Sequence, residues 1–219
     1  MSAGVFKILA MLFAIILFRL FIGEPLHVPS PSMEPSIHVG DWIWVNKHSY
    51  GAVIPARYSD IPFINILTWI PAVNEKDKKR DWGFHRFYSN LKPKVNDVVI
   101  FNSPDKVGTL LIKRIAKIIR KGSTIVVNSQ NLERYNGILE SELGDEGIQV
   151  LQEKIRNNLA TNINLRCSYY FLLGDNKALS LDSRSYGYIP ERDIIGKVNF
   201  IIINFSFDDL RKIRFLKTI

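Results

Sequence analysis

The longest apolar run in the chain lies at its start. Gly4 to Ile22 reads GVFKILAMLFAIILFRLFI, broken only by Lys7 and Arg19 near its ends. A helix needs roughly 20 such residues to cross a bilayer core, and long cationic side chains near its ends can reach the headgroups. No small-x-small cleavage site follows, because Gly23, Glu24, Pro25 and Leu26 come next. The pattern predicts an uncleaved anchor over residues 1–23. Three prolines between Pro25 and Ser32 then predict an extended arm. Beyond a turn at Gly40-Asp41, Trp42, Trp44 and Asn46 alternate with Ile43 and Val45, which predicts a strand.

Tyr50 to Pro93 has a different pattern. It is rich in loop-forming residues and in aromatics: Tyr58, Phe63, Trp69, Trp82, Phe84 and Phe87. Two readings stand for this region (residues 51–93): a surface facing the membrane interface, where Trp is favoured, or a small lobe with its own core. Asp97 to Phe101 reads as a buried strand. Gly108 to Ile119 fits helical spacing, but Thr109, Ile112, Ile115, Ile118 and Ile119 weigh towards strand. Strands are expected at Thr124–Asn128, Tyr169–Leu173 and Ile195–Phe207, the last followed by a short basic tail. Leu139 to Thr161 has partly helical spacing. The sum is a mostly β catalytic domain over 24–219, with a smaller inserted lobe at 123–168.

With 219 residues the chain can bury a real core. Its net charge of +8 is scattered; the densest run, Lys76 to Arg80, includes an acid and reads as a solvated loop. There is no basic helix or stacking pattern for nucleic acid. The single cysteine, Cys167, excludes an internal disulfide and reads as a small core residue. No metal or cofactor is expected.

The candidate chemistry sits in three places. Ser30-Pro31-Ser32-Met33-Glu34-Pro35-Ser36 places hydroxyls in a stiffened stretch just past the anchor. A serine needs a base to become a nucleophile. His27, His38, His48 and His85 stand in no triad or metal motif. Lys113 is flanked by Leu110, Leu111, Ile112, Ile115 and Ala116, with no acid between Lys106 and Gly122. Burial there would lower its pKa towards working pH; the rival reading is a strand lysine pointing outward along an apolar surface. Gly174 to Gly187 is a polar loop after a hydrophobic strand. It reads either as part of a site or as a turn with a surface Asp182–Arg184 pair.

Taken together these blocks resemble the type I signal peptidases of bacteria. Ser32 with Met33, Pro35, Gly40-Asp41 and Lys47 is similar to their nucleophile box. Ile112-Lys113-Arg114 is similar to their lysine box. Gly174-Asp175-Asn176, Ser180, Asp182-Ser183-Arg184, Gly187 and Pro190 are similar to their third box, and Gly196-Lys197 also fits. The resemblance implies a coiled, antiparallel sheet and a Ser/Lys dyad of Ser32 and Lys113. It implies an oxyanion hole from the Ser32 amide and the Ser30 hydroxyl, and Ser180 orienting the lysine. It also implies a supporting ion-pair network of Asp182 with Arg114 and Arg184. The implied substrates are exported preproteins cut after small residues, bound as an added strand between Leu26–Ser30 and the lysine strand. The implied setting is a bacterial inner membrane, single-pass, with the catalytic domain outside the cytoplasm and membrane lipids as further partners.

Two departures stand out. Lys177-Ala178-Leu179 replaces the usual Arg-Asp-Asn, and Lys117 to Ser123 lacks the usual Gly-x-Pro-Gly-Asp turn. The alternative function is a membrane-tethered scaffold or lipid-surface-binding domain, an inactive paralogue. A self-cleaving repressor shares the Ser-Lys chemistry, but no DNA-binding helix pair precedes Ser32.

Overall fold

The computed structural model describes residues 3–79, 82–106, 108–156, 159–204 and 214–219. The apolar run forms helix α1 (Ala3–Phe21), none of whose residues is buried against the rest of the protein. Strand β1 (Gly23–His27) follows after one residue and pairs with β2 (Trp42–Asn46). The arm is therefore extended because it is half of a hairpin, and Pro25 is tolerated on an edge strand.

The region after β2 holds β3 (Val53–Ile54), α2 (Pro71–Lys78) and β4 (His85–Arg86), joined by 3₁₀ turns. Next come β5 (Val98–Asn102) and β6 (Leu110–Ile119). The ambiguous run is thus a strand, as its β-branched residues favour. Its pairing with β5 and its own alternation place Lys113 and Ile115 on the buried side.

Strands β7 (Thr124–Val127) and β8 (Thr161–Asn164) form a separate two-stranded sheet around α3 (Asn136–Arg156), which bends at Gly144. Ile125, Val127, Ile138, Leu139, Leu151 and Ile163 cluster there, and Cys167 packs against them as a partly buried residue. The chain returns through β9 (Tyr169–Leu173), α4 (Ser183–Tyr186), β10 (Ile189–Pro190), β11 (Ile194–Asn204) and β12 (Arg214–Thr218).

Among the described residues the main sheet has eight strands, in the order β1-β2-β11-β5-β6-β9-β10, with β12 on β11. Every pairing is antiparallel and the sheet curls on itself. The fold is therefore the mostly β, coiled-sheet class expected. Two expectations change. The basic tail contains a strand, β12, because β11 outruns β5 and its free backbone groups need partners. The loop before Pro190 contains α4, started where the Asp182 side chain accepts the Arg184 amide. The end of the Lys76–Arg80 run and the Phe207 end of the last expected strand lie outside the described residues.

None of the aromatic side chains between residues 51 and 93 is buried. Trp69 is 81% exposed and Tyr88 84%. The aromatic rings there therefore form no buried cluster among the described residues.

Candidate functional site

Pro31 to Met33 form a single 3₁₀ turn, entered from an extended Ser30. The Ser32 amide is among the first amides of the turn, which have no acceptor within it. Met33 and Ile37 fill the core beneath, with Val28, Ile43 and Val98, so the turn is pinned by apolar packing. Asp41 secures it from the far side. One of its oxygens accepts the His38 amide at 2.8 Å and Arg214 Nη1 at 2.6 Å, while Arg214 Nη2 donates to the Ser36 carbonyl at 2.7 Å.

Lys113 reaches this turn from β6. Its Nζ lies 2.9 Å from Ser32 Oγ, and Ser30 Oγ lies 3.3 Å from the same hydroxyl. Lys113 is 2% exposed and Ser32 8%. Burial pushes the Lys113 amine below its ordinary pKa, opposed by the charges of Asp182 and Asp175. Desolvation outweighs the two acids because neither makes a direct hydrogen bond to the amine among the described residues.

The third block closes over the pair. Asn176 N donates to the Ser32 carbonyl at 3.1 Å. Gly174 permits this approach, since a Cβ there would collide with the Ser180 side chain and the Ser32 carbonyl. Asp182 is fully buried and accepts Gly174 N at 3.0 Å, Arg184 N at 3.2 Å and Arg184 Nε at 2.8 Å. Burial alone would raise its carboxyl, but these hydrogen bonds hold it down to about 2.

The structure brings Ser30, Ser32 and Lys113 together and seats Asp182 beside Arg184. It separates two other expected partners. Arg114 pairs with Asp175, at 2.8 and 2.7 Å, and not with Asp182. The reason is register: Arg114 lies opposite Leu173, so its fork meets the chain two residues further on. Ser180 makes no bond to Lys113. Its buried Oγ packs against Gly174 and faces the Asp182 carboxylate, which it helps to hold ionised. No histidine is a hydrogen-bond partner of Ser32 among the described residues.

Four polar residues in this framework were given no role by the sequence. Asp175 and Asp41 stood inside recognised blocks, but their partners are distant in the chain. Asp97 ties Tyr50 (2.7 Å) to Lys197 (2.6 Å), joining β5 to β11. Arg214 carried no local signal at all. The two departures are accommodated: Gly122, at φ +82°, makes the turn after β6, and Arg184 Nη2 caps the Lys177 carbonyl at 2.9 Å.

Comparison with known proteins fits this geometry. The family described as "Signal peptidase, peptidase S26" matches residues 2–203. The chain belongs to the signal peptidase S26 family. It is similar to signal peptidase I of Buchnera aphidicola subsp. Baizongia pistaciae, at 29% identity over 91% of this chain and 74% of that protein. Signal peptidase I of Pseudomonas aeruginosa is 27% identical, over 85% of this chain and 66% of that one. That of Rickettsia typhi is also 27% identical, over 85% and 74%. The chain thus spans about two thirds to three quarters of the length of these relatives. Membership makes it a signal-peptide-cleaving hydrolase whose substrates carry signal peptides. The matched span includes α1, whose length and composition fit a single membrane anchor.

Proposed function

We propose that this signal peptidase cuts exported preproteins with a dyad of Ser32 and Lys113. The observation that carries the reading is the buried amine 2.9 Å from the serine hydroxyl. An uncharged Lys113 takes the Ser32 proton as Oγ attacks the scissile carbonyl. The negative charge that develops on oxygen meets the Ser32 amide and the Ser30 hydroxyl, donors already in place before reaction. The lysine, now an ammonium, protonates the leaving amine. It then accepts a proton from the water that hydrolyses the ester on Ser32.

Asp182 and Arg184 position the loop that covers the dyad, and Ser180 acts through Asp182 and that loop. Arg114 acts through Asp175 to hold β6 against that loop.

Support for strand-like substrate binding comes from the sheet edge. β9 pairs with β6 only from Arg114 onward, so the β9-side edge of β6 from Leu110 to Lys113 carries no ladder among the described residues. A preprotein segment added there, facing residues 26–30, would bring its scissile bond to Ser32.

In this reading residues 1–23 are a single-pass anchor in a bacterial inner membrane, and residues 24–219, with the 123–168 lobe, work on its outer side. The exposed aromatics of residues 51–93 meet the lipid surface. The test is cleavage of a model preprotein by the purified chain in detergent. Cleavage that is lost in both Ser32→Ala and Lys113→Ala supports the dyad; full activity of Lys113→Ala refutes it.

A further inference from the structure

A cavity of about 310 Å³ opens away from the dyad, where four parts of the chain converge. Arg19 comes from the last turn of α1, Glu24 from β1 and Lys47 from the end of β2. Ser59, Phe63 and Ile66 come from the 3₁₀ turns that follow β3. Two cations share one acid here: Arg19 Nη2 lies 2.5 Å from one Glu24 oxygen, and Lys47 Nζ 2.7 Å from the other. Burial would raise the Glu24 carboxyl, but Lys47 and Arg19 together hold it below its usual value, so it is ionised. Arg19 and Lys47 exceed Glu24 by one positive charge, which the formal charge of Asp60 on the wall offsets, so what the site offers an anion is its spare guanidinium and ammonium N–H groups. Asp60 also lines the cavity, but its Oδ2 is turned to its own turn, accepting the Ala56 and Arg57 amides at 3.0 Å each. The rest of the wall mixes the polar Ser59 and Asn65 with Pro62 and the exposed side chains of Phe63 and Ile66.

The height of this cavity narrows its ligand. Nineteen helical residues span about 28 Å at 1.5 Å per residue, close to the thickness of a bilayer core. Arg19, in the last turn, then stands at the level of lipid phosphates. The geometry points to a site for a glycerophosphate headgroup, with its phosphate on Arg19 and Lys47 and its glycerol carbons against Phe63 and Ile66. Phosphate oxygens match the unspent donors, and the adjoining lipid-exposed face of α1 gives attached acyl chains a path. This inference rests on the reading of α1 as an anchor. The headgroup could belong to a lipid or to a soluble phosphate ester.

The test uses the full chain in detergent, with bound molecules read by native mass spectrometry. The probes are dioleoyl phosphatidylglycerol, dioleoylglycerol, which lacks the phosphate, and glycerol 3-phosphate. The wild type should retain phosphatidylglycerol, and an Arg19→Gln, Lys47→Met double variant should bind it about tenfold more weakly. Dioleoylglycerol should not distinguish the two proteins. Displacement of the lipid by glycerol 3-phosphate would assign the site to soluble esters, and failure to displace it would assign the site to the membrane. Cleavage of a short peptide should stay within about twofold of wild type and reports that the fold is intact. If the double variant does not fold, Phe63→Ser replaces it and should weaken retention about threefold. Equal retention of phosphatidylglycerol by wild type and variant, or of both lipids by the wild type, overturns the site. Release of the chain from membranes by alkaline carbonate would refute the anchor alone, since the detergent comparison still reads the cavity.

Discussion

Around Lys113 the apolar side chains are withdrawn from water, whereas between residues 51 and 93 the aromatic ones remain in contact with it. Val99, Ile100, Phe101, Ile115 and Leu172 are all fully buried in the strands that flank the lysine. Phe63, Trp69, Trp82, Phe84, Phe87 and Tyr88 are all exposed. The two regions are both rich in hydrophobic residues, and they differ in what the backbone does. β5, β6 and β9 are ladder strands whose alternate side chains must share one face, so an amine at a buried position is desolvated with its neighbours. In residues 51–93, among the described residues, the strand pairing is the two-residue one of β3 with β4, and the rest is α2 and short 3₁₀ turns. Short 3₁₀ turns present side chains on all sides and cannot gather them into a core. Burial in the first region lowers the pKa of the Lys113 amine, the base of the proposed dyad. Exposure in the second leaves aromatic rings uncovered at the surface.

The sharpest way to break this contrast is to remove the chemistry from the buried region. Ser32→Ala and Lys113→Ala should each lower kcat/KM for a leader peptide by at least about a thousandfold, measured by product chromatography. Lys113→Arg should do no better, because a guanidinium cannot give up its proton at working pH.

A smaller loss is expected from Asp182→Asn, about tenfold to a hundredfold in kcat, since the loop bonds to Gly174 and Arg184 weaken. Its pH profile carries a separate signature. Activity should rise with pH as Lys113 loses its proton, with a midpoint below the ordinary lysine value of 10.5. Asp182 favours the protonated amine, so its removal should move that midpoint to still lower pH. An unmoved midpoint would mean that Asp182 acts only through the loop.

Stability provides a third test. The folded protein lowers the Lys113 pKa, so between the folded and unfolded values the unfolded chain binds more protons. Stability therefore rises with pH across that window, and the cost of burying the amine is greatest below it. Each unit of lowering is worth about 1.4 kcal/mol, and each kcal/mol about 2–4 °C in Tm for a chain of this size. Lys113→Met should melt higher than wild type at pH 7, and the gap should close as the pH approaches 10.5. A variant that melts lower at pH 7 would contradict the burial account.

The smallest effects belong to the exposed region. In nanodiscs containing brominated lipid, Trp69→Phe should remove more of the tryptophan quenching than Trp44→Phe, because Trp44 is stacked on Phe200. Soluble-peptide cleavage should change less than about twofold, and stability by about 0.5 kcal/mol or less. Quenching dominated by Trp44 would place the lipid surface elsewhere on the molecule.

Legibility in the sequence followed the range of the interactions. The N-terminal apolar helix and the strand at Trp42–Asn46 were readable because hydrophobic length and period-two alternation are local properties. The strand character of residues 110–119 was only half legible, since Leu110, Lys113 and Lys117 also fit a helix; pairing with β5 and β9 settled it. The partner of Arg114 was misassigned because Asp175 and Asp182 both lie in one polar loop, and only the β6–β9 register chooses between them. Arg214 was invisible, being 173 positions from the aspartate it grips.

The chain order of amino acids determined which groups were available: a hydroxyl behind prolines, an amine amid aliphatics, a polar loop bounded by glycines, and a helix long enough to span lipid. It could do so because composition and short-range periodicity are carried by neighbours along the backbone. The curl of the sheet decided that the amine meets the hydroxyl, that Gly174 lets the loop close over Ser32, and that Glu24 is shared by Arg19 and Lys47. Those outcomes depend on distances between residues far apart in the chain, and packing sets such distances.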